Sequence, residues 1–85
     1  MRNKKKILIT GSAGFIGSYV SEYYAKLDHE VLGLDNLNDY YDVSLKLLRL
    51  NDLKEHKNFT FNKIDLVDLK QLKQVFDTFQ PDVVI

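Results

Sequence analysis

The segment Thr10-Gly11-Ser12-Ala13-Gly14-Phe15-Ile16-Gly17 constrains the fold more than any other stretch of the chain. It follows a short β-rich apolar run, Ile7-Leu8-Ile9, that reads as a strand buried on both faces. It leads into apolar residues at Ile16, Val20, Tyr23/Tyr24 and Leu27, whose spacing predicts a helix from about Gly14 to Lys26. A helix N-terminus carries free N–H groups and roughly half a positive charge, so this junction suits an anion. Gly11 permits the tight turn leaving the strand. Gly14 lets the start of the helix lie against a phosphate, and Gly17, one turn later, lets the helix pack closely on the strand. The spacing, G-x-x-G-x-x-G, also suits a plain strand–helix turn with small residues for packing. The strand before it and the helix after it favour the phosphate cradle.

The pattern then repeats. Asp28-His29 is a turn, and Val31-Leu32-Gly33-Leu34 is a second strand ending at Asp35. Asn36 to Asp42 reads as a loop. Val43 to Leu53 is a second helix with a wide apolar surface formed by Leu45, Leu47, Leu48, Leu50 and Leu53, suited to core packing with room for docking. Phe59 to Ile64 is a third strand. Asp68 is placed to cap a third helix carrying Leu69, Leu72, Val75, Phe76 and Phe79, which Gln80-Pro81 stops. Asp82-Val83-Val84-Ile85 opens a fourth strand. The order β-α-β-α-β-α-β predicts an α/β fold with a parallel, Rossmann-type sheet and crossover helices, incomplete at the C-terminus. A chain that stops inside an apolar strand is expected to be a piece of a longer protein, so residues 1–85 read as one nucleotide-binding domain in part.

Asp35 narrows the anion to a nucleotide. It stands at the carboxyl end of the second strand, 18 residues after Gly17. An acid there can accept from both ribose hydroxyls of an adenosine and would repel a 2′-phosphate. Asn36-Leu37-Asn38 holds no Arg or Lys to bind such a phosphate, so NAD is expected rather than NADP. Asp65 and Leu66 follow the third strand, where the carboxyl end borders the adenine. Asp65 there suits either the adenine amino group or a solvated turn.

Composition excludes other classes. With 45 % apolar and 28 % charged residues the chain is globular rather than disordered. Zero net charge removes any global electrostatic case for nucleic acid or an anionic membrane, and Lys4-Lys5-Lys6 reads as a solvated lead-in. Without cysteine there is neither a disulfide nor a thiolate metal site, and His29 and His56 are too isolated to suggest a metal. No apolar run reaches the length of a signal peptide or a membrane span, and a cytoplasmic location is expected.

Taken with these residues, the segments ITGSAGFIGS (9–18), His29-Glu30-Val31 and DNLNDYYDVSLK (35–46) resemble the extended short-chain dehydrogenase/reductase family of NAD-dependent epimerases and dehydratases. The last segment is similar to its UDP-glucuronate 4-epimerases, and the resemblance spans nearly the whole chain. It implies tightly held NAD, with Gly11, Gly14, Phe15, Ile16 and Gly17 at the pyrophosphate, Asp35 and Asn36 at the adenosine ribose, and Asp65 and Leu66 at adenine. It implies an isomerase that oxidises the sugar C4 hydroxyl, rotates the 4-keto sugar and reduces it on the other face. A UDP-sugar would be the partner, and the resemblance allows a homodimer of the full-length enzyme. Alternatives are an NAD-binding remnant without catalysis and a related sugar-nucleotide dehydratase or reductase.

Two departures stand out. Asp28 occupies a position where the family usually has Gly, at a helix end expected to need positive φ. The family's catalytic Tyr-x-x-x-Lys is absent: Tyr19, Tyr23, Tyr24, Tyr40 and Tyr41 are followed four residues on by Tyr23, Leu27, Asp28, Ser44 and Leu45. No catalytic residue is therefore assigned. Tyr23 and Tyr24 read as one exposed and one packed ring, and Asp39-Tyr40-Tyr41-Asp42 as either a site mouth or a self-packed loop.

Overall fold

The computed structural model describes residues 4–37 and 43–85. Its elements are β1 (Lys6–Thr10), α1 (Phe15–Lys26), β2 (Glu30–Asp35), α2 (Val43–Lys54), β3 (Phe59–Lys63), α3 (Leu69–Phe79) and β4 (Val83–Val84). The four strands form one parallel sheet in the order β3-β2-β1-β4. This is the expected α/β, Rossmann-type arrangement. The chain winds outward from β1 through β2 to β3, then crosses back to place β4 on the other side of β1. That reversal is where open α/β sheets bind ligands, at the strands' carboxyl ends.

Alternation along β1 divides the core into two layers. Ile7 and Ile9 point to one face and join Ala13, Ala25, Val31, Leu50, Leu53 and Phe59 beneath α1 and α2. Leu8 points to the other and joins Leu32, Leu34, Ile64 and Val75, with Leu72 and Phe79 of α3.

The helices bury narrower faces than their apolar residues suggest. On α1 the buried residues are Ser21 and Ala25, which continue at one-turn spacing from Gly17. Small residues let the axis come close to the sheet, which rotates Ile16 outward to 73 % exposure. Tyr24 packs on the core while Tyr23 is exposed. On α2 Leu50 and Leu53 are buried, but Leu45, Leu47 and Leu48 are exposed, and Lys46 is buried on the inner face with the first two. On α3, Leu72, Val75 and Phe79 face the sheet at i, i+3 and i+7, leaving Leu69 and Phe76 outside.

The helix ends are held by polar groups. Asp68 caps α3 by accepting from the Gln71 N–H at 3.2 Å. Gln80 takes a left-handed conformation, φ 52°, before Pro81. Asp28 adopts φ 66° just past α1, the positive φ expected there. The Asn58 side-chain amide donates to the carbonyls of Ala25 and His29, at 2.8 and 2.6 Å, tying that end of α1 to the approach of β3. Among the described residues no helix is long and apolar enough to cross a membrane.

Candidate functional site

The glycine loop leaves β1 at its carboxyl end and is fastened at every step. Gly11 has φ +65°, a conformation L residues rarely adopt, and its carbonyl accepts from the Gly14 N–H at 3.0 Å. The Ser12 N–H donates to the Leu34 carbonyl at 3.1 Å, joining the loop to the end of β2. A Cβ at Gly17 would lie 2.0 Å from the Gly11 carbonyl oxygen, so the helix can cross the loop at this distance only through glycine. Gly14 is the N-cap of α1 and offers no side-chain hydrogen bond to it, and the first turn holds no acidic residue. The amides that open α1 have no carbonyl one turn earlier to receive them, so they are available to an anion.

Asp35 is the polar centre of the site, with its side chain 4 % exposed. Its Oδ2 accepts from the Ala13 N–H at 3.1 Å. Its Oδ1 accepts from the Leu37 N–H at 2.8 Å and from Lys46 Nζ at 3.2 Å. The carboxylate therefore does structural work, since it pins the glycine loop from below. Arg49, one turn beyond Lys46 on α2, holds the same residue by donating to the Ala13 carbonyl at 3.3 Å.

These bonds add two features to the reading of Asp35. A carboxylate has about four acceptor positions. Three of these are filled among the described residues, by Ala13, Leu37 and Lys46. The second feature is a cation. The segment after Asp35 offers none, but α2 carries Lys46 back onto the carboxylate from eleven residues away.

Five of the residues singled out from the sequence line one cleft. Gly11, Asp35, Asn36, Asp65 and Leu66, with Leu34 and Ile64, enclose about 240 Å³ at the carboxyl ends of β1, β2 and β3. Gly14 and Gly17 build the loop beside it. Phe15 and Ile16 are exposed at the start of α1, and Phe15 lines a separate hollow toward α2, with its ring centroid 5.8 Å from the Arg49 guanidinium. Asp65 Oδ1 accepts from the Val67 N–H at 3.1 Å, so this carboxylate shapes its own turn as well as facing the cleft. Asn38 and the Asp39-Tyr40-Tyr41-Asp42 stretch lie outside the described residues. A larger hollow of about 410 Å³ lies under α3, lined by Lys6, Glu30 and Thr78 among others. It opens toward the amino-terminal ends of β1 and β2, away from the edge where parallel sheets present ligands.

Three contributors escaped the sequence reading. Gly33 sits mid-strand because a Cβ there would meet Ser12 Oγ at 2.5 Å and Phe59 at 2.9 Å. Lys46 and Arg49 were hidden by the leucines around them. A lysine in register with Leu50 and Leu53, at i, i+4 and i+7, was the available signal for the first.

An uncapped helix start, a glycine-lined approach and a buried carboxylate beside a cleft together fit the pyrophosphate and adenosine half of a dinucleotide. Comparison with known proteins points the same way. Residues 8–85 match the family described as GDP-mannose 4,6 dehydratase. The UDP-glucuronate 4-epimerase of Thermodesulfobacterium geofontis is 51 % identical over 78 residues, covering 92 % of this chain and 24 % of that protein. Protein CapI of Staphylococcus aureus is 51 % identical over 80 residues, covering 94 % and 24 %. Among solved structures, UDP-glucuronic acid 4-epimerase from Bacillus cereus, in complex with UDP-glucuronic acid and NAD, superposes with a TM-score of 0.79 at 32 % identity, over 94 % of this chain and 25 % of that one. The chain thus spans about a quarter of the length of the relatives it matches.

Proposed function

The chain belongs to the GDP-mannose 4,6 dehydratase family of NAD-dependent epimerases and dehydratases, and from that premise we propose that it is the NAD-binding N-terminal part of a nucleotide-sugar 4-epimerase acting on UDP-glucuronate. The observation that carries this reading is the convergence of the glycine loop and Asp35 on one cleft, with the Asp35 carboxylate bonded to the loop's own Ala13 N–H.

Each residue has a physical task. The amides of Phe15, Ile16 and Gly17 meet the pyrophosphate at the start of α1, where Gly11, Gly14 and Gly17 let the phosphates come close to the backbone. Asp35 accepts from the hydroxyls of the adenosine ribose, and Asn36 borders the same sugar. Asp65 and Leu66 form the adenine side of the cleft. A bound NAD would supply the hydride acceptor and donor for reaction at the sugar C4. Residues 1–85 hold the adenosine half in place for that step, and they contain no Tyr-x-x-x-Lys to act as the acid/base pair.

The test uses the full-length polypeptide with UDP-glucuronate, followed by chromatography of the products. The C4 epimer should accumulate, and residues 1–85 alone should give no turnover. No change in UDP-glucuronate would overturn the epimerase assignment, and so would loss of water to a deoxy-keto sugar from dTDP-glucose, supplied in a parallel assay because it carries a C6 hydroxyl that can leave. The second outcome would favour a dehydratase, a reading supported by likeness to dTDP-glucose 4,6-dehydratase from Bacillus anthracis, with a TM-score of 0.81 at 26 % identity.

A further inference from the structure

We propose that Lys46 is a latent cation for a 2′-phosphate, held away from that role by Asp35, so that the pair rather than the acid alone sets which nicotinamide dinucleotide the site accepts. The inference rests on the dinucleotide reading above and adds to it a residue and a mechanism of discrimination.

The argument begins with burial. Lys46 and Asp35 side chains are 7 % and 4 % exposed and meet at 3.2 Å. Lysine is rarely buried without a partner, because its ammonium loses hydration that only a close acceptor replaces. Lys46 therefore reaches inward for the carboxylate. The pair as a whole carries no net charge. An isolated acid beside the ribose would exclude a 2′-phosphate by repulsion, but a compensated acid repels it far less. Exclusion then depends on the absence of a cation that is free to receive the phosphate. Asp35 supplies that absence by occupying Lys46.

Distance makes the alternative partner accessible. A ribose hydroxyl donating to Asp35 lies about 2.7 Å from the carboxylate. Counting the width of the carboxylate, a 2′-oxygen on Oδ2 is then within about 8 Å of Nζ, and the flexible lysine stem can close most of that span. Arg49, three residues further along α2, adds positive charge on the same side of the loop, although its own hydrogen bond goes to the Ala13 carbonyl. Replacing the carboxylate with a neutral isostere removes the repulsion and releases the ammonium in one step.

The experiment titrates four full-length proteins with NAD and with NADP by calorimetry at two salt concentrations: the parent, Asp35→Asn, Lys46→Met and the double variant. The parent should bind NAD at least tenfold tighter than NADP. Asp35→Asn should move the NADP/NAD affinity ratio at least tenfold toward NADP, with a salt-sensitive gain. Adding Lys46→Met should abolish that gain. Lys46→Met alone should keep the preference for NAD. Equal ratios in Asp35→Asn and the double variant would overturn the role of Lys46, and so would an Asp35→Asn ratio equal to the parent's. Failure of the parent to bind NAD would instead sink the dinucleotide reading itself. Circular dichroism checks the fold of each variant, and Asp35→Ser replaces the amide variant if that protein unfolds.

Discussion

Gly17→Ala should be the most damaging single-methyl change in this chain. The added Cβ would stand 2.0 Å from the Gly11 carbonyl oxygen, 2.7 Å from its carbonyl carbon and 3.1 Å from the Ser12 Cα. Ordinary contact begins at 3.4 Å, so the nearest approach is short by about 1.4 Å. All three neighbours are backbone atoms, and no side-chain rotation can relieve the overlap. Relief has to come from shifting α1 or the loop, and the loop is tied to Leu34, Asp35 and Arg49. Overpacking typically costs about 1–3 kcal/mol, and a clash with fixed backbone belongs at the top of that range. Alanine returns about 1 kcal/mol through its better helix propensity. The expected net loss is roughly 2 kcal/mol, about a thirtyfold fall in the folding equilibrium constant. Gly11→Ala is the control. A Cβ at Gly11 meets nothing within 4 Å, so its cost is confined to the left-handed backbone, about 1 kcal/mol. Urea denaturation of both variants beside the parent reads the difference. If Gly17→Ala proves as stable as the parent, or if Gly11→Ala is the worse of the two, the account of this glycine as a point of close approach is wrong.

Other substitutions probe other joints. Gly33→Ala should cost about 1–3 kcal/mol, because the new methyl collides with Ser12 as well as the more yielding ring of Phe59; unchanged urea denaturation would count against it. Asn58→Ala should lose about 1–2 kcal/mol by removing the donor to both Ala25 and His29 carbonyls, with faster amide exchange at the end of α1 as its signature. Asp28→Gly should raise the melting temperature, gaining about 0.5–1 kcal/mol by relieving a side chain held at positive φ. Asp68→Ala should cost about 1 kcal/mol through the lost cap of α3, read as increased fraying by amide exchange.

The sequence carried the order of elements because each signal was local. Ile7-Leu8-Ile9 alternates between two layers, glycines mark the first turn, and Asp68 and Pro81 bracket the third helix. What it concealed was which apolar residues face inward. Ile16 fits the helical period of α1, yet the inner face is taken by Gly17, Ser21 and Ala25 because the axis approaches too closely for larger side chains. On α2 the leucine surplus drew attention to Leu45, Leu47 and Leu48, which are exposed, while Lys46 is buried. The reason is non-local: the buried Asp35 carboxylate needs compensation, and only the fold shows that α2 supplies it. The positive φ at Asp28 was legible because the family resemblance puts a glycine at this helix end. Asn58 was not, because its two acceptors belong to residues more than a turn of chain away in sequence.

The central claim is that the glycine loop and the Asp35 cleft form one site for the adenosine half of NAD. Backbone amide shifts of the nitrogen-15-labelled protein during titration with NAD test it most directly. The account predicts saturable changes at Phe15, Ile16 and Gly17 together with Asp35, Asn36, Asp65 and Leu66. Changes confined to Lys6, Thr60 and Thr78 around the larger hollow under α3, or no changes at saturating NAD, would contradict it.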